Sequence, residues 1–101
     1  MVRHIILWRL KSELSETEKI SIRAGIKSGL EGLAGVIPGL ESIRVVSGGL
    51  ASSTADLMLD SVFRDEAALR NYSKHPAHLE VATTRVRPFV ETRLCVDFEE
   101  E

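Results

Sequence analysis

The chain has 101 residues, 44% of them hydrophobic and 28% charged, with a formal net charge of −2. That length sets a single domain spanning residues 1–101, and that composition excludes a disordered chain. An acidic balance without a basic run excludes a nucleic-acid partner, and no apolar stretch is long enough for a membrane span, so the expected compartment is the cytoplasm.

His4-Ile-Ile-Leu-Trp8-Arg-Leu10 is rich in β-formers and predicts the first strand. Ser15 and Glu18 fit a capping box, in which each satisfies a free amide at the start of a helix. From there Ile22, Ile26, Leu30, Leu33 and Ile37 recur at helical spacing, and Gly35 and Pro38 set the end. Gly25, Gly29 and Gly32 fall inside this helix at a cost of about 0.5–1 kcal/mol each relative to alanine. Small residues there either leave room for a ligand or a close neighbour, or mark a frayed helix end.

Leu40 to Ser47 predicts a second strand, with Ile43 and Val45 on one face and Arg44 and Val46 on the other. A Gly- and Ser-rich loop leads to a third strand over Asp56 to Phe63. Asp65 caps a second helix that places Ala68, Leu69 and Tyr72 on one face. A third, short helix runs from Pro76 to about Val86, where Pro88 ends it. Glu91 to Phe98 predicts the last strand, with the acidic end from Asp97 to Glu101 as a solvated tail. Cys95, the single cysteine, sits between Leu94 and Val96 and reads as a buried, inert strand thiol.

The order β-α-β-β-α-β predicts a ferredoxin-like α+β fold, with one four-stranded antiparallel sheet and helices on one face. The first and third strands are the most apolar and belong in the middle. His4, Ile6, Trp8 and Leu10 share one face of strand one, while Ile5 and Leu7 point the other way. In strand three, Leu57, Leu59 and Phe63 alternate with Met58 and Val62. A one-sided antiparallel sheet should alternate apolar with polar. The second face therefore needs a partner, and a second copy of the chain packed sheet to sheet answers that need. Hiding a few hundred Å² of apolar area at ~25 cal/mol per Å² is worth several kcal/mol. Arg9, Arg44, Asp60, Arg93 and Asp97 are expected to interrupt this second face and fix the register.

The segment Tyr72-Ser-Lys-His75-Pro76-Ala77-His78 holds two of the three histidines and the single tyrosine. Pro76 bars its predecessor from the α region, so one helix should stop near His75 and another begin. His78 then falls in a first helical turn, where the positive end of the macrodipole disfavours imidazolium. A neutral imidazole beside a phenol can move protons near neutral pH.

Taken together, Val2-Arg-His4-Ile-Ile-Leu, Ile37-Pro38-Gly39, Tyr72-x-x-His75-Pro76-Ala77-His78 and Leu94-Cys-Val96-Asp97-Phe98 resemble the stress-responsive A/B barrel (Dabb) family over nearly the whole length. The resemblance implies a ferredoxin-like unit that dimerises through its sheets into an α+β barrel. It points to a plant polyketide cyclase of the family, which forms olivetolic acid by C2–C7 aldol closure without a cofactor. By that likeness Tyr72 and His78 are the catalytic pair, and His4 lines the cavity. His78 would be the general base on a β-keto substrate, and Tyr72 would hold it or stabilise the enolate. His75 is the further substrate-side candidate. Each residue also has an architectural reading: Tyr72 in the core, His75 at a helix terminus, His78 pinning the third helix. A metal site from His4, His75 and His78 has no compact ligand motif, so none is expected. Two further functions stay open: a non-catalytic stress-related dimer that binds a small hydrophobic ligand, and a cofactor-independent oxygenase.

Overall fold

A computed structural model describes residues 1–100. Its elements in order are β1 (Val2–Leu10), α1 (Glu16–Glu31), β2 (Leu40–Val46), β3 (Leu57–Phe63), α2 (Glu66–Lys74), α3 (Pro76–Val81) and β4 (Val90–Glu99). The four strands form one sheet in the order β2-β3-β1-β4, so β1 and β3 are central. Both pair antiparallel with their neighbours. This is the ferredoxin-like α+β fold.

The capping box forms as the residues dictate. Ser15 Oγ accepts from the Glu18 amide at 3.1 Å, and the Glu18 carboxylate accepts from the Ser15 amide at 3.0 Å. The Ser15 amide, and after it the Ser15 hydroxyl, hold the Glu18 carboxylate below its usual range. The helix stops earlier than its apolar periodicity predicts. Gly32 caps α1, and the chain then turns through Gly35 (φ +77°) and Gly39 (φ +83°), a backbone region glycine enters freely. Leu33 and Ile37 still reach the core, but from turns instead of a helical face. Gly29 marks a close neighbour: a Cβ there would meet Val81 Cγ1 at 2.9 Å and Arg85 Cδ at 3.0 Å. The glycine lets the segment after α3 lie against α1, and Arg85 secures it by donating to the Gly25 carbonyl at 3.2 Å.

The third helix is also shorter than expected. After Val81 the chain widens into a π-helical stretch, Ala82–Val86, followed by a 3₁₀ turn, Arg87–Phe89. Two hydroxyls satisfy carbonyls of the preceding helix: Thr83 Oγ1 donates to Leu79 at 2.7 Å and Thr84 Oγ1 to Glu80 at 2.6 Å. Such back-bonding competes with the regular ladder and loosens it. Ala82 and Val86 are the buried residues of the widened turn.

The acidic end is not a free tail as far as Glu100. Asp97, Phe98 and Glu99 pair with β1, Glu100 N donates to the Met1 carbonyl at 2.8 Å, and Arg3 Nε bonds Glu100 at 2.7 Å. Glu101 lies outside the described residues. A second correction concerns the faces of β4. Register sets His4 opposite Asp97, Ile6 opposite Cys95 and Trp8 opposite Arg93. Arg93, Cys95 and Asp97 therefore share the helix-covered face with His4, and the reading of Arg93 and Asp97 as interruptions of the other face is overturned. Leu94, Val96 and Phe98 point outward instead, with relative exposures of 63%, 54% and 44%. They extend the apolar outer row of Ile5 and Leu7. On that outer face Asp60 pairs with Arg3, and with Arg44 at 3.4 Å.

Candidate active site

Strands and helices bring side chains to one cavity of about 560 Å³ on the helix side of the sheet. β1 contributes His4, Ile6 and Trp8, α2 contributes Tyr72, α3 contributes His78, and β4 contributes Arg93, Cys95 and Asp97. Leu30, Leu59 and Val86 add apolar wall, and the exposed Arg87 and Glu91 stand at its solvent side.

Tyr72 is almost fully buried. Its ring centroid lies 4.9 Å from that of Phe63, 4.2 Å from that of His78 and 6.2 Å from that of His4. α2 places it there because Ala68 and Tyr72, four residues apart, form the helix's buried stripe. The Asp65 cap fixes where that helix starts, with its carboxylate accepting from the Ala68 amide at 2.8 Å. Two polar atoms in this cluster are buried without a protein hydrogen-bond partner, Tyr72 Oη and His78 Nδ1. Leaving such a group unpaired costs about 1–3 kcal/mol. Burial pushes the Tyr72 phenol well above its ordinary value, so it stays an O–H donor. Burial also pulls His78 below its ordinary value; the Ser73 backbone works against this, while Coulombic repulsion from Arg87, His4 and Arg93 reinforces it. The arrangement is a neutral imidazole tilted against a protonated phenol, each with an unpaired polar atom.

His4 completes the sheet side. Its Nδ1 is hydrogen-bonded to the carboxylate of Asp97, its cross-strand partner. Cys95 Sγ lies 3.8 Å from His4 Nδ1 and 3.5 Å from Asp97 Oδ1. Cys95 is exposed on the edge strand, contrary to the buried thiol read from its flanks. Desolvation, then the negative Asp97, pushes its thiol up and away from thiolate.

Tyr72, His78 and His4 thus meet in one cavity. His75 does not line it. The His75 ring turns back to cap α3, with Nδ1 accepting from the Ala77 amide at 3.1 Å, so the structure places it at a helix junction instead of on the substrate side. Arg93, Cys95 and Asp97 are cavity residues that sequence reasoning missed. The signal was present in the strand pairing, since any register that sets the apolar Leu94, Val96 and Phe98 on one face puts these three on the other. Among the described residues, the ligating side chains brought within 4.8 Å of one another are His4, Cys95 and Asp97, not the three histidines.

Sheet order and cavity together define a ferredoxin-like α+β protein with a histidine–tyrosine pocket beneath its helices. The chain belongs to the stress responsive A/B barrel domain family, whose pattern matches residues 2–100. It is similar to a dimeric protein of unknown function and ferredoxin-like fold from Bacteroides fragilis, at 27% identity and a TM-score of 0.92 over 98% of this chain and 95% of that one. A Dabb family protein from Mesorhizobium loti has 21% identity and a TM-score of 0.74, with 99% and 96% of the two chains covered. The hydroxynitrile lyase of Passiflora edulis has 22% identity and a TM-score of 0.71, with 96% and 90% covered. Comparison with curated proteins finds no match. No helix among the described residues is long and apolar enough to cross a membrane.

Proposed function

We propose that this protein is a homodimeric proton-transfer enzyme acting on a small carbonyl compound, cyclase-like or isomerase-like. The observation that carries this reading is the pair of buried, unpartnered polar atoms, Tyr72 Oη and His78 Nδ1, on two side chains that line one cavity. A fold that leaves both unpaired accepts a stability cost that a bound oxygen and a transferable proton would offset.

In this reading, His78 Nδ1 holds the free lone pair and takes the acidic proton from the carbon between two carbonyls, leaving the electron pair as an enolate. The Tyr72 O–H donates to the enolate oxygen as its charge develops. The enolate then either takes the proton back from His78 at a different conjugated atom, giving an isomer, or attacks a second carbonyl through its carbanion carbon, and the new alkoxide oxygen takes the proton from His78 as the ring closes. His4, held by Asp97, faces the substrate from the sheet side. His78 and Tyr72 carry the step by themselves. One fold neighbour is named a hydroxynitrile lyase, which supports the fold as a host for such chemistry.

The dimer would form through the outer sheet face. Support comes from the exposed Leu94, Val96 and Phe98 beside Leu7, and from the description of a close structural relative as dimeric. A second reading, a non-catalytic dimer that binds a small hydrophobic ligand, draws on the apolar Ile6, Trp8, Leu30 and Leu59 in the cavity wall.

Thermal-shift screening with β-keto acids and phenolic acids tests for occupancy, because a ligand selective for the native state raises the melting temperature. Turnover that vanishes in a folded His78→Ala variant supports the enzyme. Binding without turnover in the parent protein supports the second reading, and the absence of any ligand removes both.

A further inference from the structure

We propose that His4 Nδ1, Cys95 Sγ and Asp97 Oδ1 form a binding site for a borderline divalent cation, with Zn²⁺ as the best fit. The three atoms come from two hydrogen-bonded strands. His4 sits on β1 directly opposite Asp97 on β4, and Cys95, two residues before Asp97, points to the same face. A cross-strand trio of this kind is held by the sheet ladder itself, and it ties β4 to the centre of the sheet.

The spacing fits a tetrahedral ion. Zn–S and Zn–N/O bonds of about 2.3 and 2.0–2.1 Å place sulfur about 3.5 Å from each other ligand. Cys95 Sγ lies 3.5 Å from Asp97 Oδ1 and 3.8 Å from His4 Nδ1. The third edge, between His4 and Asp97, is closed by a direct hydrogen bond. An ion replaces that bond and parts the two groups. The side chain able to move is Asp97, which is 42% exposed, whereas His4 is 8% exposed and fixed.

Ligand chemistry narrows the cation. One imidazole, one thiolate and one carboxylate suit zinc or cobalt, while magnesium and calcium prefer oxygen ligands alone. On binding, the Cys95 proton leaves to solvent, as does the proton shared by His4 and Asp97 if the ring is charged. Thiolate and carboxylate then neutralise the ion's two charges, so the nearby Arg93 on the same face is not repelled. Three protein ligands leave a fourth position open, as in catalytic zinc sites. All three ligands line the same cavity as Tyr72, which puts the ion within the chamber's wall on the sheet side.

The test uses the full-length, untagged protein stripped of metal and titrated with Co²⁺, then Zn²⁺. We expect a tetrahedral cobalt spectrum with a thiolate-to-cobalt charge-transfer band, bleached by stoichiometric Zn²⁺. Cys95→Ser should abolish the charge-transfer band, and Asp97→Asn should weaken zinc binding at least ~10-fold, the smallest loss seen when even an outer partner of a ligand is removed. His75→Ala, which alters a histidine outside the trio, should leave both unchanged. Cys95 and Asp97 are exposed, so these variants keep the fold, which circular dichroism checks. Cobalt binding without the thiolate band, or zinc affinity equal in the parent and Cys95→Ser proteins, overturns the site.

Discussion

Replacing Tyr72 by phenylalanine should make the protein more stable and less active at once. The substitution keeps the ring and its contacts with Phe63 at 4.9 Å and His78 at 4.2 Å between centroids. It deletes only the hydroxyl, which is buried without a hydrogen-bond partner. Relieving an unpaired buried donor is worth about 1–3 kcal/mol. A gain of about 1 kcal/mol corresponds to a rise of roughly 4–8 °C in Tm for a domain of this size. The assay is thermal or urea unfolding of both proteins at one fixed protomer concentration, since association makes Tm concentration-dependent. Turnover in the same variant should fall by roughly 10²–10³, the usual effect of losing one donor to a developing oxyanion. A loss of stability of 1 kcal/mol or more would refute the reasoning, because it would mean the hydroxyl has a structural partner.

Acid should expose His78. Its folded value lies below the unfolded 6.5, so its contribution to stability is present in full above 6.5 and is lost as the pH falls from there through the lowered folded value. His78→Gln should flatten that part of the stability-versus-pH curve; an unchanged curve would remove burial of the neutral ring as its cause. The helix glycines should respond in opposite directions. Gly25→Ala meets nothing within 4 Å and should stabilise by about 0.5–1 kcal/mol. Gly29→Ala drives a methyl against Val81 and Arg85 and should destabilise by about 1–3 kcal/mol, as chemical denaturation of the two variants will show. Val96→Asp puts a charge into the outer apolar row, so sedimentation should report half the mass of the parent assembly. An unchanged mass would place the interface elsewhere.

Much of the fold was legible because local rules and global topology agree. Ser15 and Glu18 announce a helix start, Asp65 and Pro76 announce two more, and alternation in β1 and β3 marks the central strands. The end of α1 was not legible. Leu33 and Ile37 keep helical spacing only because the turns that carry them must also reach the core. The clustering of Tyr72 and His78 followed from one proline, since Pro76 turns the chain back and brings a residue six positions on against the tyrosine. Asp97 and Arg93 were misplaced for a physical reason. Polar side chains on a strand normally face water and apolar ones the domain's own helices, and β4 reverses this because its inner side borders a polar chamber. His75 looked chemical for its company, but its position just before Pro76 makes its ring the nearest acceptor for a free helix amide.

Strand β4 alternates chamber-facing and outward-facing side chains along ten residues, and its register is set by the bulge at Arg9/Leu10 and by the Arg3–Glu100 clasp at the far end. Insertions there obey a parity rule. One added codon between 91 and 94 would swap the two rows downstream, sending Cys95 and Asp97 out and Leu94, Val96 and Phe98 in, so that the proposed pocket and the proposed dimer face would be lost in a single event. Two added codons restore the phase. Lineages of this fold should therefore accept even length changes in the final strand far more readily than odd ones.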